Sequence, residues 1–224
     1  MALAPIEGQP GLFRDTDSGQ VVNIRDFREG DKYDTVVFKA GDPIVPGTEF
    51  IFFQDIQQKR DLDTNFKTPR KLSAGESMVL DRIGLYPRLA LGDVIDLPRD
   101  IKKILENAFY RLKINDILQD EGPAIKFPSG YGIYGQTTEN DAGVVSLGVP
   151  ATASAARLVK KQMLNQNHEL DGVMRFDARN WAVSPGVGSA LGPIPTPYTM
   201  APSLDEPVMI TNYLHGLIRA AVTK

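Results

Sequence analysis

The chain contains 224 residues, enough for one large β domain with a sizeable core or for two small domains. It has no cysteine, which excludes disulfides, a thiolate metal site and a cysteine nucleophile. Its formal net charge of −3 argues against a general nucleic-acid binder, because such a protein presents a basic face to phosphate groups.

The sequence offers no segment that would cross a membrane. No window approaches the run of about 18 apolar residues that a transmembrane helix requires. The stretch from Met1 to Gly8 also lacks the basic start and the long apolar run of a signal peptide. We therefore expect no transmembrane segment and synthesis in a cytoplasm.

Residues 1–31 are polar and rich in turn-forming glycine. They contain three arginines and six acidic residues, a net charge of 3 − 6 = −3. We interpret them as an N-terminal arm that is either draped over the domain or ordered against a neighbouring subunit. Neutralising phosphates needs an excess of lysine and arginine, so this arm is not expected to bind a genome.

Strands are predicted where β-branched and aromatic residues form runs or alternate with polar residues. Residues 110–115 are an example, since Tyr110, Leu112 and Ile114 point to one face and the residues between them to the other. The last strand contains Gly216, which predicts a kink or a bulge there. The predicted strands cover residues 33–40, 49–54, 77–91, 110–115, 125–127, 144–149, 172–177 and 207–222.

Two short helices are predicted as well. Asp96 is a suitable N-cap and Pro98 fits the first turn, after which apolar residues recur at helical spacing to about residue 109. This helix is expected to pack on the core, and a membrane-binding or partner-binding helix is the alternative. Residues 151–164 are alanine-rich and predict a second helix, capped by Thr152 or Ser154.

These elements predict an all-β fold without an internal repeat or a linker. The simplest architecture is a two-sheet β-sandwich, and a jelly roll accommodates eight strands with long decorated loops. An immunoglobulin-like sandwich is the alternative, although it favours shorter turns and usually lacks helices. We therefore predict one domain over residues 32–224, a jelly-roll β-sandwich with two short helices and long loops.

The polar connector inside residues 48–91 partly copies a calcium-binding loop. Asp61, Asp63 and Asn65 occupy its first three ligand positions, but Phe66 replaces the required glycine and Leu72 the bidentate glutamate. An EF-hand is therefore excluded, while a looser oxygen-ligand site stays open. We interpret these side chains as ordering a connector that contacts a neighbouring subunit rather than an ion.

The sequence gives no catalytic constellation. His168 lies in a polar run that predicts a solvated turn, and His215 lies in the last strand, so a zinc site would need both with no supporting spacing. No Gly-x-Ser-x-Gly elbow marks a nucleophile, and no strand–helix unit frames the glycines at 130, 132 and 135. We predict no enzyme and no catalytic, cofactor or metal residues. A hydrolase with a dispersed active site is a third hypothesis.

Four aromatic residues in predicted loops suggest a second function. Exposed rings could stack on sugars, which would make the chain a carbohydrate-binding or receptor-binding β-sandwich. The rings could equally pin long loops onto the sandwich, and long loops without catalytic residues are typical of subunit contacts. These residues are Trp181, Tyr131, Tyr134 and Tyr198.

Two segments of the chain resemble structural proteins of tailless icosahedral bacteriophages. The first comprises Phe52-Phe53-Gln54, Lys59, Asp63-Thr64-Asn65, Leu72, Gly75 and the strand through Ile83, and the second is Leu214-His215-Gly216-Leu217-Ile218-Arg219. The resemblance implies a jelly roll and a role in building the shell, often over an internal membrane or a compact genome. The acidic arm departs from capsid proteins whose basic arms contact the genome.

We therefore expect a capsid or virion structural protein that self-assembles into an icosahedral shell and resides in the virion. Its expected partners are further copies of itself and other virion proteins. Direct binding to nucleic acid is not expected.

Overall fold

The computed structural model describes residues 3–16, 19, 21–38, 47–89, 104–127, 134–136, 144–146, 155–176 and 208–219. Most of these residues lie in β-strands, with 3-10 turns at Ile24–Asp26 and Ala124–Lys126 and a helical turn at 104–107. The strands are β1 (Leu3–Pro5), β2 (Leu12–Asp15), β3 (Val21–Asn23), β4 (Arg28–Phe38), β5 (Glu49–Phe52), β6 (Ser77–Leu89), β7 (Ala108–Ile114), β8 (Ile117–Pro123), β9 (Tyr134–Gln136), β10 (Val144–Ser146), β11 (Ala156–Asn165), β12 (Leu170–Phe176) and β13 (Val208–Arg219).

Two four-stranded antiparallel sheets form the body of the molecule. The first sheet has the order β4-β13-β6-β11 and the second has the order β5-β12-β7-β8. β7 alternates between buried and half-buried side chains along its whole length, as expected for a strand with one face on the core. One hydrophobic cluster contains residues of both sheets, so the predicted all-β sandwich is confirmed at this level.

Aromatic and polar contacts join the two sheets through the core. The Phe38 ring of β4 lies 4.3 Å from that of Phe50 on β5 and 5.8 Å from that of Phe176 on β12, measured between centroids. The Nδ2 atom of Asn212 on β13 donates a hydrogen bond to the Tyr110 hydroxyl on β7. Burial raises the pKa of Tyr110, so its hydroxyl stays neutral in the core.

The predicted irregularity at Gly216 is confirmed as a β-bulge between β13 and β6. The pairing register shifts between His215 and Gly216, and Asp81 is the extra residue on β6. A Cβ atom at position 216 would lie 2.0 Å from the carbonyl oxygen of Val79. Only glycine lets the two backbones approach this closely.

The predicted helix over 151–164 is wrong, because β11 occupies Ala156–Asn165 and pairs with β6. Pairing with the sheet outweighs the helical preference of alanine, which is a weak determinant in a tertiary context. The first predicted helix is seen at residues 104–107, and the following strand already begins at Ala108. Its proposed start at Asp96 lies outside the described residues.

β8 was not predicted, and the strand expected at 125–127 is instead a 3-10 turn. β8 is an outer strand with mostly exposed side chains, so its sequence has no clear alternation of apolar and polar residues. Pro123 is tolerated because it ends an outer strand, where no ladder hydrogen bond is lost.

The start of the chain forms a small antiparallel sheet with the order β1-β2-β3. Val22 of β3 packs against Val79, Met163 and Leu217, which lie on the face of the first sheet that points away from the core. β4 begins at Arg28, so its first residues belong to the segment 1–31 that the sequence assigns to the N-terminal arm. β9 and β10 form a separate hairpin.

Candidate functional site

The connector between β5 and β6, residues 53–76, is fastened to the outer edge of β4. The Tyr33 N–H donates to Oδ1 of Asn65 over 2.9 Å, and Nδ2 of Asn65 donates to the Asp31 carbonyl over 2.8 Å. The Asn65 N–H in turn donates to the Tyr33 carbonyl. An outer strand normally presents unpaired backbone groups to other chains, and the connector satisfies those of β4 over this stretch.

A buried ion pair holds the start of the connector. The Asp34 side chain is 0% exposed, and its carboxylate accepts hydrogen bonds from the Lys59 ammonium at 2.8 and 2.9 Å. It also accepts the Phe53 N–H over 2.7 Å. A buried carboxylate is tolerated only when it is paired and hydrogen-bonded, so Asp34 and Lys59 depend on each other.

Phe53 adopts a backbone conformation that bulky residues rarely take. Its φ angle is +66°, and its side chain is fully buried. Arg70, with a φ of +57°, donates its N–H to the Phe53 carbonyl. A strained backbone conformation of this kind is kept only where surrounding contacts hold it in place. Here the hydrogen bonds to Asp34 and from Arg70 fix the backbone on both sides of Phe53.

The end of the connector is held by a second ion pair. The Lys32 ammonium lies 2.9 and 3.1 Å from the two carboxylate oxygens of Glu76, which also accepts the Ser73 N–H over 3.0 Å. Burial alone would raise the pKa of Glu76, but the hydrogen bonds from Lys32 and Ser73 outweigh it and hold the pKa below its usual value. The connector is therefore fixed at both ends and in its middle.

The three residues that resemble calcium ligands have separate tasks. Asn65 binds the β4 backbone, and the Asp63 carboxylate pairs with Arg60 at 3.1 Å. Asp61 contributes its main-chain carbonyl, which accepts the Tyr33 hydroxyl over 2.6 Å. Among the described residues, no group of three or more histidine, aspartate or glutamate side chains is placed to hold a metal ion.

Sequence reasoning missed Asp34 and Lys59. The signal for Asp34 was present, since period-two alternation places it on the same face as the apolar Val36 and Phe38. An acid at a core-facing position requires a partner. The partner could not be read from the sequence because Lys59 belongs to the connector, 25 residues further on.

His168 lies in the turn between β11 and β12, but its side chain is buried, so the predicted solvated position is wrong. Its Nδ1 atom accepts the Asn165 N–H over 3.1 Å. Burial lowers the pKa of His168, and the nearby Asp15 carboxylate opposes this shift. His215 is on β13, where its Nδ1 atom lies 2.8 Å from the Asp31 carboxylate. The structure thus places the two histidines beside different partners, Asn165 and Asp31.

Other residues singled out from the sequence fall outside the described part. They include Trp181, Tyr131 and Tyr198. Tyr134 is placed in β9.

The two sheets expose one side of the sandwich through their outer strands β8 and β11. Val159 of β11 is 101% exposed, and Ile117 and Leu118 of β8 are 66% and 45% exposed. A groove of about 230 Å³ runs between the two strands and is lined by Gln119, Leu158, Val159, Lys160 and Gln162. We call this surface, residues 116–121 with residues 157–162, the lateral edge.

The two strands of the lateral edge carry opposite charges. On the β11 side, Arg157, Lys160 and Lys161 lie in or beside a protruding bulge. Among the described residues, the Asp81 carboxylate is the one acidic group close to Arg157 and Lys161, at 3.7 and 3.8 Å. On the β8 side, Asp116 and Glu121 are exposed. The lateral edge therefore offers apolar, basic and acidic side chains to a partner.

No protein-family model matches the chain, and neither the curated proteins nor the solved structures contain a match. Among the described residues, no helix has the length and apolar character needed to cross a membrane.

Proposed function

We propose that this protein is a capsid or virion structural protein, a jelly-roll subunit that self-assembles into an icosahedral shell. The observation that supports this proposal best is the order of strands. Along the chain, β4, β5, β6 and β7 alternate between the first and second sheets, and β11, β12 and β13 do the same after β8. This order supports a jelly roll, an eight-stranded architecture of two Greek keys that recurs in viral capsid domains.

The geometry of the connector suits a subunit that must keep one shape. Its two ion pairs and the Asn65 hydrogen bonds cover the open edge of β4 at residues 31–34, which would otherwise pair with other chains without specificity. The lateral edge, in contrast, pairs with no further strand among the described residues and carries exposed apolar and charged side chains. Assembly then proceeds through many modest contacts, whose burial offsets the entropy lost on ordering each subunit.

The test is the assembly state of the purified protein. Size-exclusion chromatography with light scattering, followed by negative-stain microscopy, should reveal closed particles far larger than the 24.6 kDa chain, or intermediates that convert to them as concentration rises. A chain that stays strictly monomeric at high concentration, both alone and with other proteins of the same particle, would overturn the proposal.

A further inference from the structure

We propose that the lateral edge is a two-fold contact between copies of this chain, in which β11 of each copy packs against β8 of the other. The inference deepens the proposed function and rests on it, because it names the surface through which two subunits associate. It follows from the distribution of charge, the exposed apolar residues and the shape of the bulge.

A two-fold contact requires a surface that is complementary to itself. The lateral edge meets this condition, since β11 contributes Arg157, Lys160 and Lys161 while β8 contributes Glu121 and the turn before it contributes Asp116. A two-fold rotation brings the basic side of one copy to the acidic side of the other, twice in each contact. Within the described chain, Asp116, Glu121 and Lys160 have no ion-pair partner, so these charges remain available.

Exposed apolar side chains accompany the charged residues on both strands of the lateral edge. Val159 is fully exposed at the bulge, the groove opens beside it, and Ile117 and Leu118 are exposed on β8. Large apolar residues at the centre of a patch with a polar rim are the usual composition of a protein–protein contact. In the two-fold arrangement, Val159 of each copy meets the apolar residues of β8 in the other.

The bulge determines that the contact uses side chains rather than a continuous sheet. Residues 158–161 lie between Arg157, which pairs with Arg82, and Gln162, which pairs with Leu80, so four residues of β11 oppose the single residue Asp81. Such an insertion interrupts the ladder, and lysines at the edge discourage strand-to-strand pairing. The occupant must therefore offer complementary side chains.

A second copy supplies such side chains. Outside Arg157, Lys160 and Lys161, the formal net charge of the chain is −3 − 3 = −6. Another copy thus approaches the basic side of the lateral edge with a net negative potential, concentrated locally at Asp116 and Glu121.

The decisive experiment is a charge exchange measured by sedimentation velocity. The first variant carries Lys160→Glu and Lys161→Glu, and the second carries Asp116→Lys and Glu121→Lys. Each variant alone should associate at least tenfold more weakly than the wild type, because like charges meet in both halves of the contact. An equimolar mixture should recover association, because opposite charges meet again in both halves. Association of the wild type should weaken with added salt.

Controls separate loss of contact from loss of fold. All four positions are exposed, so circular dichroism and thermal unfolding should remain near wild type. Lys67→Glu, at an exposed site on the connector, should leave association unchanged. Folded variants that associate like the wild type, or a mixture of folded variants that does not recover, would overturn the two-fold contact.

Two further outcomes distinguish this inference from the proposed function. Wild-type dimers that never build particles would overturn the shell while leaving the two-fold contact standing, and particles built normally by the Lys160→Glu, Lys161→Glu variant would overturn only the contact. A fluorescent DNA oligonucleotide is the second probe. If the wild type binds it and that variant loses only this binding, the lateral edge is a nucleic-acid site and the two-fold contact is wrong.

Discussion

Replacing Lys59 with methionine should leave the Asp34 carboxylate in the core without its cation. The methionine stem can fill most of the space of the lysine, so the loss is chiefly electrostatic. Breaking a buried ion pair by removing one partner costs about 3–5 kcal/mol. The Lys59 side chain is 20% exposed, so water can reach the site. We therefore expect the free energy of unfolding to fall by about 3 kcal/mol, the lower end of this range. That is a large share of the roughly 5–15 kcal/mol that stabilises a typical domain.

Guanidinium unfolding of four proteins measures this coupling. They are the wild type, Lys59→Met, Asp34→Asn and the double variant. The asparagine side chain is uncharged but can still accept the Phe53 N–H, so Asp34→Asn should cost less in the Lys59→Met background than alone, by more than about 1 kcal/mol. Arg60→Met is the matched control, since Arg60 is exposed and its ion pair with Asp63 should contribute at most about 1 kcal/mol. If Lys59→Met costs no more than Arg60→Met, the argument for a buried charge is refuted.

Substitutions at three further positions test other parts of the fold. Asn65→Ala should destabilise the protein by about 1–3 kcal/mol in denaturant, because the β4 backbone loses two partners, whereas Asn65→Asp keeps the acceptor for Tyr33 and should cost less. Gly216→Ala should cost at least about 1–3 kcal/mol, since the added Cβ collides with the Val79 carbonyl, and a near-neutral result would exclude the close approach at the bulge. His168 has a lowered folded pKa, so the unfolded chain binds its proton first as pH falls through about 6.5. The free energy of unfolding should therefore decrease as pH falls from about 6.5 to the folded pKa. His168→Gln removes this titration, so its melting temperature should change less between about pH 7.5 and about pH 5.5 than that of the wild type. An equal change in both proteins would contradict the burial of a neutral ring.

A strand is predictable from sequence where one of its faces lies in the core and the other is more exposed. β7 is the clearest case, with Tyr110, Leu112 and Ile114 buried on one face. Gly216 was predictable for a related reason, since glycine inside an apolar strand usually marks a place where the ladder is disturbed.

Two of the outer strands, β8 and β11, were harder to predict because each contains an irregularity. β11 follows an alanine-rich segment and contains a bulge in which four residues lie opposite Asp81, so neither its composition nor its period indicates a strand. β8 has mostly exposed side chains. The candidate site was also hard to predict, because it brings together segments that are distant in sequence. This holds for the Asp34–Lys59 pair and for the two sides of the lateral edge.

The position of β13 has a consequence for synthesis. Of the described strands it is made last, yet it lies between β4 and β6, and Arg28 pairs with Ile218, a separation of 218 − 28 = 190 residues. Contacts of such long range close slowly. While the chain is still on the ribosome, β4 and β6 therefore each have an open side that β13 will later fill, exposed to neighbouring nascent chains. The first sheet closes only after β13 has emerged, so this half of the core is completed late, when the last described strand becomes available.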